Sequence, residues 1–194
     1  MKINHLLPLK DYSWSGNTKE SIILHTTLGT NYSGAYNTLK LRHLSYHYIV
    51  EADGTITELI PITRSAWHSG VKNKPNLRAR AFFGADNPNK RSIGISFVRN
   101  GESELTQEQR DAGIYLIKEI GKKTKIRYTA DNIFCHQDIT SYKPYEVQKY
   151  REQILTGLFG YRDEADTKER TILQLRIKLL MLQVAMLKKK LGII

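Results

Sequence analysis

Ser21-Ile22-Ile23-Leu24-His25 and, far downstream, Asn132-Ile133-Phe134-Cys135-His136 are two short apolar runs, each closed by a histidine. Runs of this length and composition read as buried strands. Between them lie Ser92-Ile93-Gly94-Ile95-Ser96-Phe97-Val98, a third apolar strand, and Tyr46-His47-Tyr48-Ile49-Val50-Glu51, rich in β-branched and aromatic residues. Asp53-Gly54 turns that last segment into Thr55–Ile60, a hairpin signal. Helical segments separate the strands: one across Ser33–Leu41, and one opened by the capping-box spacing Thr106-Gln107-Glu108-Gln109. The second carries Gly113, Leu116, Ile117 and Ile120 on one face and is expected to stop near Gly121. Strands alternating with helices predict an α/β domain over 21–160, a mixed central β-sheet flanked by helices.

Outside that pattern, residues 1–20 are polar and turn-rich and read as an N-terminal arm. Gly70–Arg91, heavy in Asn, Pro, Lys and Arg, reads as one long loop, and loops of that length are usually functional. Its basic residues Lys72, Lys74, Arg78, Arg80, Lys90 and Arg91 suit either anionic polymer contacts or plain solvation. Residues 161–194 change character to a charged hinge and a C-terminal amphipathic helix. Its apolar rows are Ile172, Leu175, Leu179, Leu182, Met186 and Leu173, Ile177, Leu180, Val184, Leu187, Leu191, ahead of Lys188-Lys189-Lys190. Arg176, Lys178, Gln174 and Gln183 interrupt it too often for a transmembrane span. Packing on its own domain or self-association ranks first for such a face, ahead of membrane-surface contact.

The chain has 194 residues with a formal net charge of +11, which calls for an anionic partner: nucleic acid, acidic lipid or a cell-wall polymer. No recognised nucleic-acid motif accompanies the charge, so no specific nucleic acid is expected. A single cysteine, Cys135, excludes an intrachain disulfide. The N-terminus lacks the apolar run of a signal peptide, so synthesis in a cytoplasm is expected, with delivery to any external substrate by release or export.

Histidines at strand ends stand where clefts open, and neutral imidazole is a favoured zinc ligand. The blocks around them fall in a familiar order. They are Ile22-Ile23-Leu24-His25-Thr26-Thr27; Ser45-Tyr46-His47-Tyr48-Ile49-Val50 with Asp53-Gly54-Thr55-Ile56; Ala66-Trp67-His68-Ser69-Gly70 followed by Asn89-Lys90-Arg91-Ser92-Ile93-Gly94-Ile95; and Cys135-His136-Gln137-Asp138-Ile139. Over roughly Ser21 to Tyr150 this resembles the type 2 N-acetylmuramoyl-L-alanine amidase family, which includes phage lysozyme-type amidases and animal peptidoglycan recognition proteins.

The resemblance implies zinc-dependent hydrolysis of the amide between the N-acetylmuramoyl lactyl group and L-alanine in peptidoglycan. His25 and His136 match the family's zinc-binding histidines, and Tyr46 the tyrosine that phage members place near the metal. Ser96 stands where some relatives carry a catalytic glutamate. Trp67 and His68 match a stretch beside the substrate groove, although Trp67 equally suits a core aromatic. Relatives place the third ligand, Cys or Asp, just before a proline. Here Lys143 precedes Pro144 and fits the family's catalytic lysine, which leaves Glu146 as the next carboxylate and the expected third ligand. Asp138 matches a loop-fixing residue, and strand alternation aims Cys135 away from His136. His47 alternates with Tyr46 and reads as structural. The departure at the third ligand keeps a second reading in play, a peptidoglycan-binding module without hydrolysis.

Overall fold

The two apolar runs closed by histidine pair as parallel strands of one sheet. The computed structural model describes residues 1–70, 72–99, 104–142 and 148–160, together with Leu179, Gln183, Val184, Met186 and Leu187. Its strands are β1 (Ile3–His5), β2 (Ser13–Ser15), β3 (Ser21–Thr26), β4 (Tyr48–Val50), β5 (Ile56–Glu58), β6 (Arg64–Ala66), β7 (Ser92–Phe97) and β8 (Ile133–Cys135). Its helices are α1 (Tyr32–Leu41), α2 (Leu77–Phe83), α3 (Gln107–Thr124), α4 (His136–Ile139) and α5 (Gln148–Phe159). Six strands form a sheet in the order β1-β5-β4-β7-β3-β8, and β2 pairs with β6 in a separate ribbon. All its pairings are parallel except β4 with β5, the Asp53-Gly54 hairpin, so the sheet is mixed.

Alternation along the strands sorts two chemistries onto two faces. One face presents Ile22, Leu24, Tyr48, Val50, Ile93, Ile95, Phe97 and Ile133 to Ala112, Leu116, Ile117 and Ile120 of α3 and to Ile154 and Leu155 of α5. Each large apolar side chain buried there contributes about 1.5–3 kcal/mol of transfer free energy, so this layer is the main adhesive of the domain. The opposite face is divided. Ile49 packs with Ala35 and Leu39 of α1, and Ile23 and Phe134 pack with Ala79 and Phe83 of α2 and with Ile139. The register His25↔Ser96, Ile23↔Gly94 and Ser21↔Ser92 places the small residues of β7 on this divided face, between its apolar patches. That strip is where the histidines gather.

Several expectations need correction. Residues 1–20 are no loose arm: β1 extends the sheet along β5, β2 pairs with β6, and Leu9 is buried, so Met1–Leu158 forms one compact unit. Alternating residues at Ile3–His5 are enough to complete a sheet edge even in polar sequence. The long basic loop contains α2, started by the Asn76 side chain accepting from the Ala79 N–H, and a 3-10 turn over Pro88–Lys90. Arg78 and Arg91 are engaged within the domain. Arg78 donates to Asp138 and stacks on Phe134, and Arg91 pairs with Glu20 and Asp86. α3 runs past Gly121 to Thr124, and Lys125 ends it in the left-handed conformation at φ 58°. Packing of Leu116, Ile117 and Ile120 outweighs the roughly 1 kcal/mol that one helical glycine costs.

The C-terminal unit is Phe159–Ile194. Most of the amphipathic helix expected there lies outside the described residues. Leu179, Gln183, Val184, Met186 and Leu187 are helical and exposed, and no helix among the described residues is long and apolar enough to cross a membrane.

Gly54 holds the β4–β5 turn at φ +81°, and a Cβ there would lie 2.9 Å from the Glu108 carbonyl oxygen. Gly54→Ala should therefore cost at least ~1–2 kcal/mol of unfolding free energy from the left-handed backbone alone. Urea denaturation measures this, and a loss below ~0.5 kcal/mol would show that the turn and α3 yield easily.

Candidate active site

Four imidazoles lie in file across the small-residue strip of β7. The ring centroids of His47 and His68 are 5.7 Å apart, those of His68 and His25 5.0 Å, and those of His25 and His136 4.6 Å. All four residues are buried. A buried ring nitrogen left unpaired costs about 1–3 kcal/mol, so the partner of each nitrogen fixes where the protons sit.

His47, at the inner end, uses both nitrogens on backbone. Its Nδ1 accepts from the Gly94 N–H at 2.9 Å, and its Nε2–H donates to the Arg64 carbonyl at 2.9 Å. Burial pushes its pKa down to about 4, which keeps it neutral. This is the structural histidine read from strand alternation.

His68 lies above it, against Gly94. A Cβ on Gly94 would meet the His68 ring at 2.6–2.9 Å, so the missing side chain is what admits the imidazole. Expected beside a substrate groove, His68 is only 6% exposed, because β6 carries the chain inward against β7. Burial, and then the neighbouring imidazoles, hold its pKa well below the usual histidine value. Its Nε2 faces Ser92 Oγ at 3.3 Å, and its Nδ1 faces His25 Nε2 at 3.0 Å.

His25 comes from the end of β3. His136 opens α4 instead of ending a strand, because the chain turns helical directly after β8. Asp138 fixes this turn: its carboxylate accepts from the Cys135 N–H at 2.8 Å, from Arg78 at 2.8 Å and from Asn76 at 2.6 Å. Asp138 is thus spent on the loop, as the resemblance implies, and buried Cys135 precedes the helix on the strand side. The Nδ1 atoms of His25 and His136 stand 3.1 Å apart. The far nitrogen of His136 donates to the Ser69 carbonyl at 3.1 Å, so its Nδ1 carries a lone pair. Two zinc–nitrogen bonds of about 2.0–2.1 Å at a tetrahedral angle separate their nitrogens by about 3.3 Å, close to this spacing. The pair fits one shared divalent ion.

Tyr46 stands half-buried beside this pair, its ring 4.9 Å from that of His25. Trp67 packs against Trp14 at 5.5 Å and Tyr12 at 6.4 Å, with its indole N–H buried. The fold thus brings His25, His136, His68 and Tyr46 together. Lys143 and Glu146 lie outside the described residues, and among the described residues no cluster of three His, Cys, Asp or Glu side chains converges on a metal position. The resemblance did not mark Ser69, Asn89, Ser92 and Gly94 for roles here. The alternation of Ser92, Gly94 and Ser96 with Ile93, Ile95 and Phe97 was the available signal, since a strand that is small on one face leaves room for something bulky.

Residues 15–146 match the family model described as N-acetylmuramoyl-L-alanine amidase. The chain is 28% identical over 110 residues to the 1,6-anhydro-N-acetylmuramyl-L-alanine amidase AmpD of Haemophilus influenzae, a match covering 55% of this chain and 53% of that protein. It therefore spans about half the length of that relative. Among solved structures it is similar in fold to the N-acetylmuramoyl-L-alanine amidase LysC from Clostridium intestinale, with a TM-score of 0.58 at 21% identity over 84% of this chain and 99% of that one. A mutant endolysin from Bacillus subtilis gives 0.56 at 19% over 79% and 99%.

The neutral core histidines set a pH dependence. His47 titrates at about 4 when folded and near 6.5 when unfolded, so the unfolded chain binds more protons between those values. Its contribution is complete above pH ~6.5 and is lost as pH falls toward 4, on the order of 3 kcal/mol. His68 acts in the same direction. Urea unfolding across that window should show the fall, and a flat profile would mean these rings are not buried neutral.

Proposed function

The chain belongs to the N-acetylmuramoyl-L-alanine amidase family, and from that premise we propose that it cleaves the lactyl–L-alanine amide of peptidoglycan with a zinc ion held by His25 and His136. The observation that carries this is the convergence of the two Nδ1 atoms at 3.1 Å, with the other nitrogen of each ring engaged by a protein partner. Glu146, the next carboxylate after the position where relatives carry the third ligand, is the third ligand in this reading.

Bound zinc supplies Lewis acidity, which polarises a carbonyl and makes water acidic enough to act as a nucleophile near neutral pH. The chain's own residues do the rest. His25 and His136 present their Nδ1 atoms from rings held through the other nitrogen. Tyr46, beside His25, offers its hydroxyl to the lactyl oxygen as negative charge gathers there. Lys143 is the second donor in this reading. As the C–N bond breaks, the departing alanine nitrogen takes a proton from one of these two groups. The net charge of +11 favours capture of an anionic wall polymer.

His25→Ala and His136→Ala should each abolish zinc uptake and the release of free alanine N-termini from purified cell walls. Tyr46→Phe should retain zinc while lowering kcat about 10²–10³-fold, the cost of one oxyanion donor. Zinc-loaded wild type that releases no alanine N-termini would overturn the hydrolase reading and leave a binding module.

A further inference from the structure

A second row of rings lies nearer the surface. Its members, in spatial order, are His43, Tyr12, Trp67 and Trp14, and successive centroids are 5.3, 6.4 and 5.5 Å apart. The contacts are edge-on or tilted, the arrangement that aromatic pairs prefer. The β2–β6 ribbon assembles it: the register Ser13↔Ala66 seats Trp67 between Tyr12 and Trp14. His43 joins from the turn after α1, in left-handed backbone at φ 52° that glycine takes more readily.

The buried Ser45 ties this row to the active site. Its hydroxyl accepts from the Trp67 N–H at 2.9 Å and donates to the Tyr12 carbonyl, and its own N–H donates to the Trp67 carbonyl at 3.2 Å. The next residue is Tyr46, whose ring lies against His25. Few side chains gain more from burial than tryptophan, yet Trp14 is left 42% exposed. His43 is exposed too, and Tyr12 and Trp67 are half-buried. Tyr12 and Trp14 precede the residues matched by the family model, 15–146, so this chain adds them to the shared domain.

We propose that the row is a glycan-binding platform, on which the sugar side of the substrate lies while its amide reaches the histidine pair. The identity of the substrate rests on the peptidoglycan reading above, but sugar binding can be tested without hydrolysis. The scissile amide joins a sugar-borne lactyl group to a peptide, so the substrate leaves the site as sugar one way and as peptide the other. Peptide carboxylates are repelled by the negative faces of aromatic rings. Pyranose rings offer C–H groups of slight positive charge, which stack on those faces. The row fits the sugar.

Trp14 and Trp67 are the chain's two tryptophans, so indole emission reports on this row alone. The full chain is titrated with the tetramer of N-acetylglucosamine, which has no lactyl amide to cut. Emission should change saturably in wild type. Trp14→Ala should weaken binding about 10-fold, the scale of a tryptophan anchor, and raise KM on purified cell walls to a similar extent. Trp14→Phe, which keeps a stacking face, should recover most of both losses. Should Trp14→Ala fail to fold, Trp14→Gln takes its place. No saturable response, or equal affinity in the folded variant, overturns the platform. Emission that shifts with protein concentration and ignores sugar makes the row a self-association face and also overturns it. Tetramer binding lost in Trp14→Ala, with no alanine N-termini released by wild type, sinks the amidase reading and keeps the platform. Wall hydrolysis with a KM untouched by Trp14→Ala does the reverse.

Discussion

The constraint on which this structure turns is the burial of four imidazoles in file on one face of the sheet. Apolar packing on the α3 side of the sheet supplies the bulk of the folding energy and tolerates many sequences. The other face is less forgiving. Four buried rings need backbone carbonyls, hydroxyls or each other as partners. The carbonyls of Arg64 and Ser69 engage the rings at the two ends of the file, His47 and His136.

Strand β7 links the two faces. Its isoleucines and Phe97 belong to the apolar layer, while Ser92, Gly94 and Ser96 leave a trough on the reverse. Gly94 serves three purposes there. Its carbonyl accepts the His47 backbone N–H, its N–H donates to the His47 ring, and its lack of a Cβ admits His68. A site that depends on such a trough is sensitive to small additions of volume, because packed interiors have little room to give.

Much of this was legible from residues alone. The three central strands, the hairpin at Asp53-Gly54 and the capping box at Thr106 announce themselves by period and turn chemistry. The pairing of His25 with His136 was legible only through the family resemblance, because two histidines so far apart in sequence carry no spacing signal. What failed has physical causes. The segment with α2 was hidden by its Asn, Pro and Lys content, though Asn76 is a proper helix cap. The burial of His68 was not legible, because its motif names a neighbourhood and burial depends on the glycine opposite it in β7. Residues 1–20 were underestimated because an edge strand needs only backbone partners.

The most direct measurement of the central claim is X-ray absorption at the zinc edge of the full chain loaded with one equivalent of metal. The account predicts a four-coordinate ion with two imidazole nitrogens at about 2.0–2.1 Å, both lost when His25 and His136 are replaced together. An ion with no histidine scattering, or an unchanged spectrum in the double variant, would contradict it.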